Sequence, residues 1–328
     1  MKAVYIKTFG GPENLEIREV PDPVKSTGSQ VLVRVKAAGL NRADLLQRRG
    51  HYPPPTGYSP NIPGLEFAGE IVETGENVAE WKRGDRVFGI TAGEAQAELL
   101  LIESSLLERI PDNLSFTEAA AIPEAFITAQ DAVFTQGELK SGETLLVHAV
   151  GSGVGLAAIQ LAKANGAKTV GTSRTADKLE RSREFGLDEA ILTGESPEFA
   201  KILKTKNSGY GVDVILDLVG AAYFPDNLAS LAVKGRLMLV GLTSGKLADI
   251  DLSVVLSKRL RIIGTVLRGR SLEEKAEATR KFSEQVVPLL ASGKVLPNID
   301  KIYPVECVSE AHEYLESNKS FGKVVLEF

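Results

Sequence analysis

Three glycines within five residues carry the strongest chemical signal in this sequence. The apolar run Leu145–Val147 is typical of a buried parallel strand, and helical apolar spacing follows the glycines. A strand, a glycine turn and a helix together place backbone N–H groups against a pyrophosphate. The turn is therefore predicted to bind a dinucleotide, although a glycine-rich loop without a ligand is an open alternative. The residues predicted to surround the phosphates are Gly151, Ser152, Gly153, Val154 and Gly155.

The residues after the next predicted strand, Lys168–Thr172, bear on the choice of nicotinamide cofactor. In NAD-binding folds this strand usually ends with Asp or Glu, which holds the ribose hydroxyls. Here Ser173 and Arg174 follow, and Lys178 lies one turn further on. Because a hydroxyl and two cations accept a 2′-phosphate that a carboxylate would repel, the sequence predicts NADPH. The alternative is that both cations are ordinary solvated charges.

The pattern of predicted elements divides the chain into three parts. Up to about Pro123 the sequence contains short alternating strands and turns, which predicts a β-rich, barrel-like unit. The middle part alternates strands with helices, which predicts a doubly wound parallel sheet of about six strands. The tail has amphipathic helices near Leu272–Ala291 and Val308–Glu316, and a final strand, Lys323–Phe328, that we expect to join the β-rich unit. The later strands of the middle part are predicted at Lys168–Thr172, Glu189–Leu192, Val212–Leu218, Arg236–Val240 and Arg261–Val266.

Composition argues against several classes of function. The 328 residues carry a net charge of −5, so no basic field favours nucleic acid or an anionic membrane. No apolar run approaches the roughly 18 residues that span a bilayer, and the N-terminus lacks a signal-peptide pattern. A single cysteine, Cys307, excludes an intrachain disulfide and suits a reducing compartment. We therefore expect a cytoplasmic protein without nucleic-acid or membrane partners.

Seven segments, found in order along the whole chain, carry a family resemblance. They are Leu40–Pro55, Pro63–Gly69, Ile122–Ala129, Ala149–Gly155, Gly241–Thr243, Leu267–Arg270 and Asn318–Val324. Together they resemble the zinc-free quinone oxidoreductases of zeta-crystallin type, in the medium-chain dehydrogenase/reductase superfamily, and especially the branch with the tumour-suppressor-inducible quinone oxidoreductase. The resemblance implies an α/β fold with a Rossmann-type dinucleotide-binding domain over 124–267. It also implies a GroES-like β-rich barrel domain from 1–123 and 268–328, with the active site in the cleft between the two domains.

The resemblance also implies roles for single residues. It places Asn41 and Tyr52 near the nicotinamide and the substrate, where Tyr52 could donate a hydrogen bond to a carbonyl oxygen. The alternatives are a helix N-cap for Asn41 and a surface aromatic in a Pro-rich turn for Tyr52. Asp44 is expected to interact with the helix dipole rather than to take part in the chemistry.

Further cofactor contacts follow from the same resemblance. They are Thr128, Gly241, Leu242 and Lys323, of which Gly241 and Leu242 also end a predicted strand at the sheet edge where such ligands bind. A hydroxyl bonded within its own helix is the alternative for Thr128. Relatives often carry Asn-Tyr where this chain has Leu192-Thr193, which leaves the contact with the adenosine open.

This chain differs from the zinc alcohol dehydrogenases at the positions that bind their zinc. Their Gly-His-Glu motif corresponds here to Gly64–Glu66, with Leu65 at the position of the histidine. The three histidines, His51, His148 and His312, lie in different predicted contexts, and a zinc site needs three or four ligands. We therefore expect no metal. Without a Lewis acid alcohol oxidation is disfavoured. We therefore expect hydride transfer from NADPH to a small quinone, above all an ortho-quinone.

Two other functions and the assembly state stay open. NADPH-dependent 2-enoyl and alkenal reductases share this fold, and Tyr52 would serve them as a proton donor. A non-catalytic NADPH-binding protein, crystallin-like or redox-sensing, would keep the same glycine turn. Residues 259–267 form the predicted last strand of the sheet, and an apolar edge strand needs a partner. The resemblance implies a homodimer that pairs this strand, or a tetramer built from such dimers.

Overall fold

The computed structural model describes residues 1–24, 26–193, 198–206 and 210–328. The chain folds into two units, a terminal unit of Met1–Ile127 with Leu267–Phe328 and a central unit of Thr128–Val266. The strands are β1 Lys2–Ile6, β2 Leu15–Glu19, β3 Gln30–Leu40, β4 Glu66–Thr74, β5 Arg86–Ile90, β6 Leu99–Glu103, β7 Leu107–Arg109, β8 Thr144–Val147, β9 Lys168–Ser173, β10 Glu189–Leu192, β11 Val212–Asp217, β12 Leu231–Leu239, β13 Arg261–Gly264, β14 Ile299–Pro304 and β15 Lys323–Glu327.

The helices are mostly short. They are α1 Arg42–Arg48, α2 Phe116–Ala120, α3 Pro123–Gln130, α4 Gly153–Ala164, α5 Ala176–Ser182, α6 Phe199–Lys206, α7 Phe224–Ser230, α8 Leu252–Lys258, α9 Leu272–Gln285, α10 Val287–Ala291 and α11 Val308–Glu316. A π-helical stretch, Asp131–Gln136, follows α3 directly. None of the helices in the described ranges is long and apolar enough to cross a membrane.

The central unit contains a six-stranded parallel sheet in the order β10-β9-β8-β11-β12-β13. This order reverses between β8 and β11, which is the topological switch point where doubly wound sheets bind ligands. The sheet core includes Leu146, Val170 and Ile215, all at most 1% exposed. The predicted doubly wound sheet is therefore confirmed. β12 begins at Leu231, five residues before the predicted start, because the pairing register of β11 and β12 shifts there.

The terminal unit contains a seven-stranded sheet and a separate antiparallel pair, β1-β2. The large sheet runs β14-β15-β3-β4-β5-β7, with β6 also paired to β3. β15 pairs antiparallel with β3, so that Val324 lies opposite Leu40, and the last strand joins the β-rich unit as predicted. The single helix predicted near Leu272–Ala291 is instead two helices, α9 and α10. Pro288 lacks the N–H that would continue the helix, and its ring would clash with the carbonyl of Glu284.

Candidate active site and cofactor site

The glycine turn joins β8 to α4 at the carboxyl end of the parallel sheet. Ser152 caps α4, and its Oγ accepts a hydrogen bond from the N–H of Gly155 at 3.1 Å. A Cβ on Gly155 would lie 2.5 Å from the carbonyl oxygen of Val150, so only glycine lets this helix approach the strand so closely. The N–H groups of Gly153 and Val154 lie in the first helical turn and have no acceptor within the helix. An anion bound here would be stabilised by these groups and by the helix dipole.

The residues predicted to select NADPH follow the end of the neighbouring strand β9. Ser173 is the last residue of β9, and its hydroxyl accepts a hydrogen bond from the N–H of Thr175 at 3.2 Å. Arg174 is exposed and forms no ion pair with any residue that the structure describes. Lys178 is partly exposed in α5, one turn further along. Arg174 therefore presents a guanidinium at this edge that is open to solvent and to a phosphate.

A tyrosine that the sequence analysis missed reaches Thr193 from a distant segment. The hydroxyl of Thr193 donates to the carbonyl oxygen of Ser173 at 3.2 Å and accepts from the hydroxyl of Tyr223 at 2.9 Å. Tyr223 also packs edge-on against the ring of His148, with 4.8 Å between ring centroids. Its position soon after the end of β11, at the same sheet edge, is the signal that could have found it. An aromatic side chain is therefore present here, although it does not come from position 193.

His148 is buried beneath this edge of the sheet and connects Thr172 with Asn227. Its Nδ1 lies 2.8 Å from Oγ1 of Thr172, and its Nε2 lies 2.6 Å from Oδ1 of Asn227. The Asn227 amide nitrogen donates to Asp217 at 2.9 Å, so its oxygen accepts and Nε2 of His148 carries the hydrogen. Burial lowers the pKa of His148, which keeps the ring neutral near pH 7.

The three histidines occupy different surroundings. His51 is exposed in a loop of the terminal unit, His148 is buried in the central unit, and His312 is buried in α11. Across the residues whose placement is described, no group of three or more His, Cys, Asp or Glu side chains is arranged to hold a metal ion.

Asn41 and Lys323, predicted for separate roles, belong to one buried ion cluster in the terminal unit. The ammonium of Lys323 donates to the carbonyl of Leu40 at 2.9 Å, to Oδ1 of Asn41 at 2.7 Å and to Oε1 of Glu66 at 2.5 Å. The amide of Asn41 donates to the same Glu66 oxygen at 2.8 Å. The Lys323 and Glu66 side chains are only 6% and 0% exposed. All three N–H bonds of Lys323 are therefore used inside the unit, which suits a role in holding Asn41 rather than a direct cofactor contact.

Asn41 also marks the start of α1, so both interpretations of this residue apply. Its backbone N–H donates to the carboxylate of Asp44 at 2.7 Å, while its side chain lies in the ion cluster. Asp44 accepts a second hydrogen bond from the N–H of Gly64 at 3.0 Å and is fully buried. Burial raises the pKa of Asp44 to about 6, against the opposing effect of these hydrogen bonds.

Tyr52 is held by a buried arginine to which the sequence gave no role. The guanidinium of Arg268 donates to the Tyr52 carbonyl at 2.8 Å, to Gln47 Oε1 at 2.5 Å and to the Ala92 carbonyl at 2.7 Å. It also lies 4.9 Å from the centroid of the Tyr52 ring, within cation–π range. Burial, and then the charge of Glu124, raise the pKa of Tyr52, so its hydroxyl remains a donor at neutral pH.

The remaining predicted cofactor residues belong to the central unit. Thr128 lies in α3 and is 8% exposed. Gly241 follows β12, and a Cβ there would lie 2.7 Å from the carbonyl of Leu218. Leu242 is exposed and lines a mainly apolar cavity of about 230 Å³. Gly241 and Leu242 thus lie at the same carboxyl edge of the sheet as the glycine turn and Ser173.

A Rossmann-type parallel sheet with this turn, in a chain that also has a separate β-rich unit, defines the medium-chain dehydrogenase/reductase class. A family profile described as "Alcohol dehydrogenase GroES-like domain" matches residues 27–127. A second, described as "Zinc-binding dehydrogenase", matches residues 153–284. These matches confirm the predicted fold class.

Similar curated proteins and solved structures indicate which family within this class the chain belongs to. Human quinone oxidoreductase is 33% identical over 332 residues, covering 99% of this chain and 97% of the relative. The crystal structure of Escherichia coli quinone oxidoreductase complexed with NADPH has a TM-score of 0.88 at 31% identity, over 100% of both chains. That of CurK enoyl reductase has a TM-score of 0.88 at 26% identity, over 99% of this chain and 98% of the other. The chain belongs to the quinone oxidoreductase family, and the predicted family is confirmed.

Proposed function

We propose that this protein is an NADPH-dependent quinone reductase that transfers hydride to small quinones, ortho-quinones above all, without a metal. The observation that carries the proposal is the β8–α4 glycine turn with Arg174 exposed beside it, in a chain of the quinone oxidoreductase family. The NADPH complex of the Escherichia coli relative supports the choice of cofactor.

The residues of the central unit would bind the cofactor. The N–H groups of Gly153 and Val154 suit the pyrophosphate, and Arg174 with Lys178 suits the 2′-phosphate. NADPH supplies the hydride when it is bound, so the protein has to orient and shield the reacting groups. Gly241 and its neighbours at the sheet edge would approach the nicotinamide end, where the absence of a Cβ leaves room for the backbone.

Two residues of the terminal unit would orient the acceptor and the nicotinamide. Asn41 is fixed by Lys323 and Glu66, which leaves its amide little rotational freedom. Tyr52 is fixed by Arg268, and its protonated hydroxyl can donate to a quinone oxygen while its ring stacks on the quinone. A preorganised donor of this kind stabilises the negative charge that develops on the oxygen.

An enoyl reductase is the second candidate function. It is favoured by the structural similarity to CurK enoyl reductase and by Tyr52, a donor that could protonate an enolate. The assay that separates the two follows NADPH oxidation with an ortho-quinone, a para-quinone, a 2-enoyl-CoA and a 2-alkenal, with a semiquinone trap. We expect the ortho-quinone to have the largest kcat/KM. A larger kcat/KM for the enoyl thioester or the alkenal would contradict quinone reduction and support the second candidate.

We also propose a homodimer formed through the edge of the parallel sheet, with a tetramer as the possible higher assembly. β13 is the outermost strand of the six, and Ile262 and Val266 in this segment are 36% and 55% exposed. Exposed apolar edges tend to pair with another chain. Light scattering should give twice or four times the mass of one chain, and Ile262→Lys should lower it; a single-chain mass for the unmodified protein would contradict the proposal.

A further inference from the structure

Glu124 lies beside the buried ion cluster, and its carboxyl group has no hydrogen-bond or ion-pair partner among the residues that the structure describes. It is the second residue of α3, and its backbone N–H donates to Oε2 of Glu66 at 2.8 Å. This bond places position 124 next to the carboxylate that holds Asn41 and Lys323. The Glu124 side chain is partly exposed and accepts no hydrogen bond from the described residues. It can therefore exchange protons with a bound molecule or with water.

The neighbouring cations are engaged elsewhere. Lys323 uses its three N–H bonds on Leu40, Asn41 and Glu66. The guanidinium of Arg268 donates its hydrogen bonds to the carbonyls of Ala92 and Tyr52 and to Oε1 of Gln47. Lys275 in α9 is 7% exposed and, within the described part of the chain, forms no ion pair with Glu124. Among the described residues, Glu124 thus has no salt bridge that would keep its carboxyl group ionised.

These surroundings favour the protonated acid. Burial first, and then the negative charge of Glu66, raise the pKa of Glu124 to about 8, while Lys323 and Arg268 oppose this and Asp44 adds to it. Glu124 in turn raises the pKa of Tyr52, and its charge also acts on Lys275, so these groups share one electrostatic environment. A general acid works best when its pKa lies near the working pH.

We propose that Glu124 donates the proton that completes reduction of the acceptor. The inference rests on the proposed function. In the reaction the hydride leaves NADPH with its electron pair and joins the quinone, which becomes a hydroquinone anion. The O–H bond of Glu124 then breaks, the proton joins the anionic oxygen, and the Glu124 carboxylate takes a new proton from water. Tyr52 keeps the role of a hydrogen-bond donor that orients this oxygen.

The first test is spectroscopic and needs no turnover. Infrared difference spectra of the free protein between pH 6.5 and 9.5 should show the C=O stretch of a protonated carboxyl that disappears as the pH rises through about 8. The component of this band that titrates near pH 8 should be missing in Glu124→Gln and retained in Glu310→Gln, a matched change of an exposed glutamate on α11. Asp44, with a pKa of about 6, and Glu108, with a pKa of about 7, should contribute bands that are the same in all three proteins. A band with its midpoint near pH 8 that persists in Glu124→Gln, or no such band in the unmodified protein, would overturn the inference.

The second test is the pH profile of kcat with an ortho-quinone and NADPH. The unmodified protein and Glu310→Gln should lose kcat above about pH 8. Glu124→Gln should be flat over this range and slower by on the order of 10²-fold at pH 7, with little change in the KM for NADPH. Equal kcat and the same profile in all three proteins would overturn the inference and leave the proposed function intact. NADPH binding without turnover of any quinone by the unmodified protein would overturn both.

Discussion

Replacing Lys323 by methionine tests the ion cluster that fixes Asn41. The substitution keeps the length and apolar stem of the side chain and removes its charge. Glu66 would then remain fully buried with hydrogen bonds from the Asn41 amide and the Glu124 N–H, but without a counter-ion. A buried carboxylate without its cation is the state that proteins avoid most strongly.

The size of the effect follows from this geometry. Removing one partner of a buried ion pair costs about 3–5 kcal/mol, because the other charge stays buried. Lys323 also loses three hydrogen bonds, one of them to a charged group, which supports a value near the middle of that range. A loss of about 4 kcal/mol lowers the folding equilibrium constant roughly 10³-fold. It would move a urea midpoint by about 1.5 M for a slope of about 2.5 kcal/mol per M.

Tryptophan fluorescence can follow the unfolding of the terminal unit, which contains Lys323. Trp81 is the single tryptophan of the chain and lies partly buried in the terminal unit. Urea unfolding of the cofactor-free protein, followed at this residue, should therefore detect destabilisation of the unit that contains Lys323. In parallel, kcat with a quinone should fall more than the KM for NADPH changes, because Asn41 loses the group that orients it.

A surface lysine supplies the matched control. Lys36 faces Glu70 at 3.7 Å in the same sheet, with both side chains more than one-third exposed, so Lys36→Met should cost at most about 1 kcal/mol. Adding Glu66→Gln to Lys323→Met should recover part of the lost stability, because no unpaired charge then remains buried. The account of the cluster would be refuted if Lys323→Met and Lys36→Met lowered the free energy of unfolding by amounts within about 1 kcal/mol of each other. It would also be refuted if the double variant were less stable than Lys323→Met.

Three further predictions follow from the rest of the structure. Arg174→Glu should raise the KM for NADPH roughly 10- to 100-fold, since a charge-assisted hydrogen bond contributes about 1.5–3 kcal/mol. The KM for NADH should stay nearly unchanged. An equal change in KM for both cofactors would count against a contact between Arg174 and the 2′-phosphate. Gly155→Ala should destabilise the protein by about 1–3 kcal/mol and weaken NADPH binding in calorimetry, because its Cβ would meet the Val150 carbonyl, whereas Gly264→Ala has open space and should be near neutral. Burial lowers the pKa of His312 to about 3, so the unfolded chain binds the extra proton first and stability falls as the pH drops below about 6.5. The stability difference between the unmodified protein and His312→Gln should shrink by up to about 1.4 kcal/mol per pH unit between pH 6 and 4, and a constant difference would contradict the assigned shift.

The central unit was predictable because its signals are local. The apolar runs of its strands, the glycine turn and the helical spacing after Gly153 each lie within a few residues, and the six predicted strands all exist. The predicted edge strand ends sooner in the structure, at Gly264. The tail helix predicted near Leu272–Ala291 is interrupted near Pro288. This proline was visible in the sequence but was outweighed by the apolar periodicity on both sides of it.

The ion cluster could not be predicted from the sequence, since it depends on contacts between distant positions. Asn41, Glu66, Glu124 and Lys323 come from a helix start, two strands and another helix start, and the β3–β4 and β3–β15 pairing brings the strands together. The resemblance singled out Asn41 and Lys323, but without the fold their roles were separate. Glu66 appeared only as part of a motif lacking its histidine, although its burial makes it the centre of the cluster.

The central claim is NADPH-dependent reduction of a quinone without a metal. The most direct measurement is the kcat/KM of chelator-treated, dialysed protein for one ortho-quinone with NADPH and with NADH, while NADPH loss and hydroquinone formation are followed together. The account predicts retained activity, one hydroquinone formed for each NADPH oxidised, and a kcat/KM at least about tenfold higher with NADPH, as expected for one charge-assisted phosphate contact. Loss of activity on metal removal, or equal use of NADH, would contradict it.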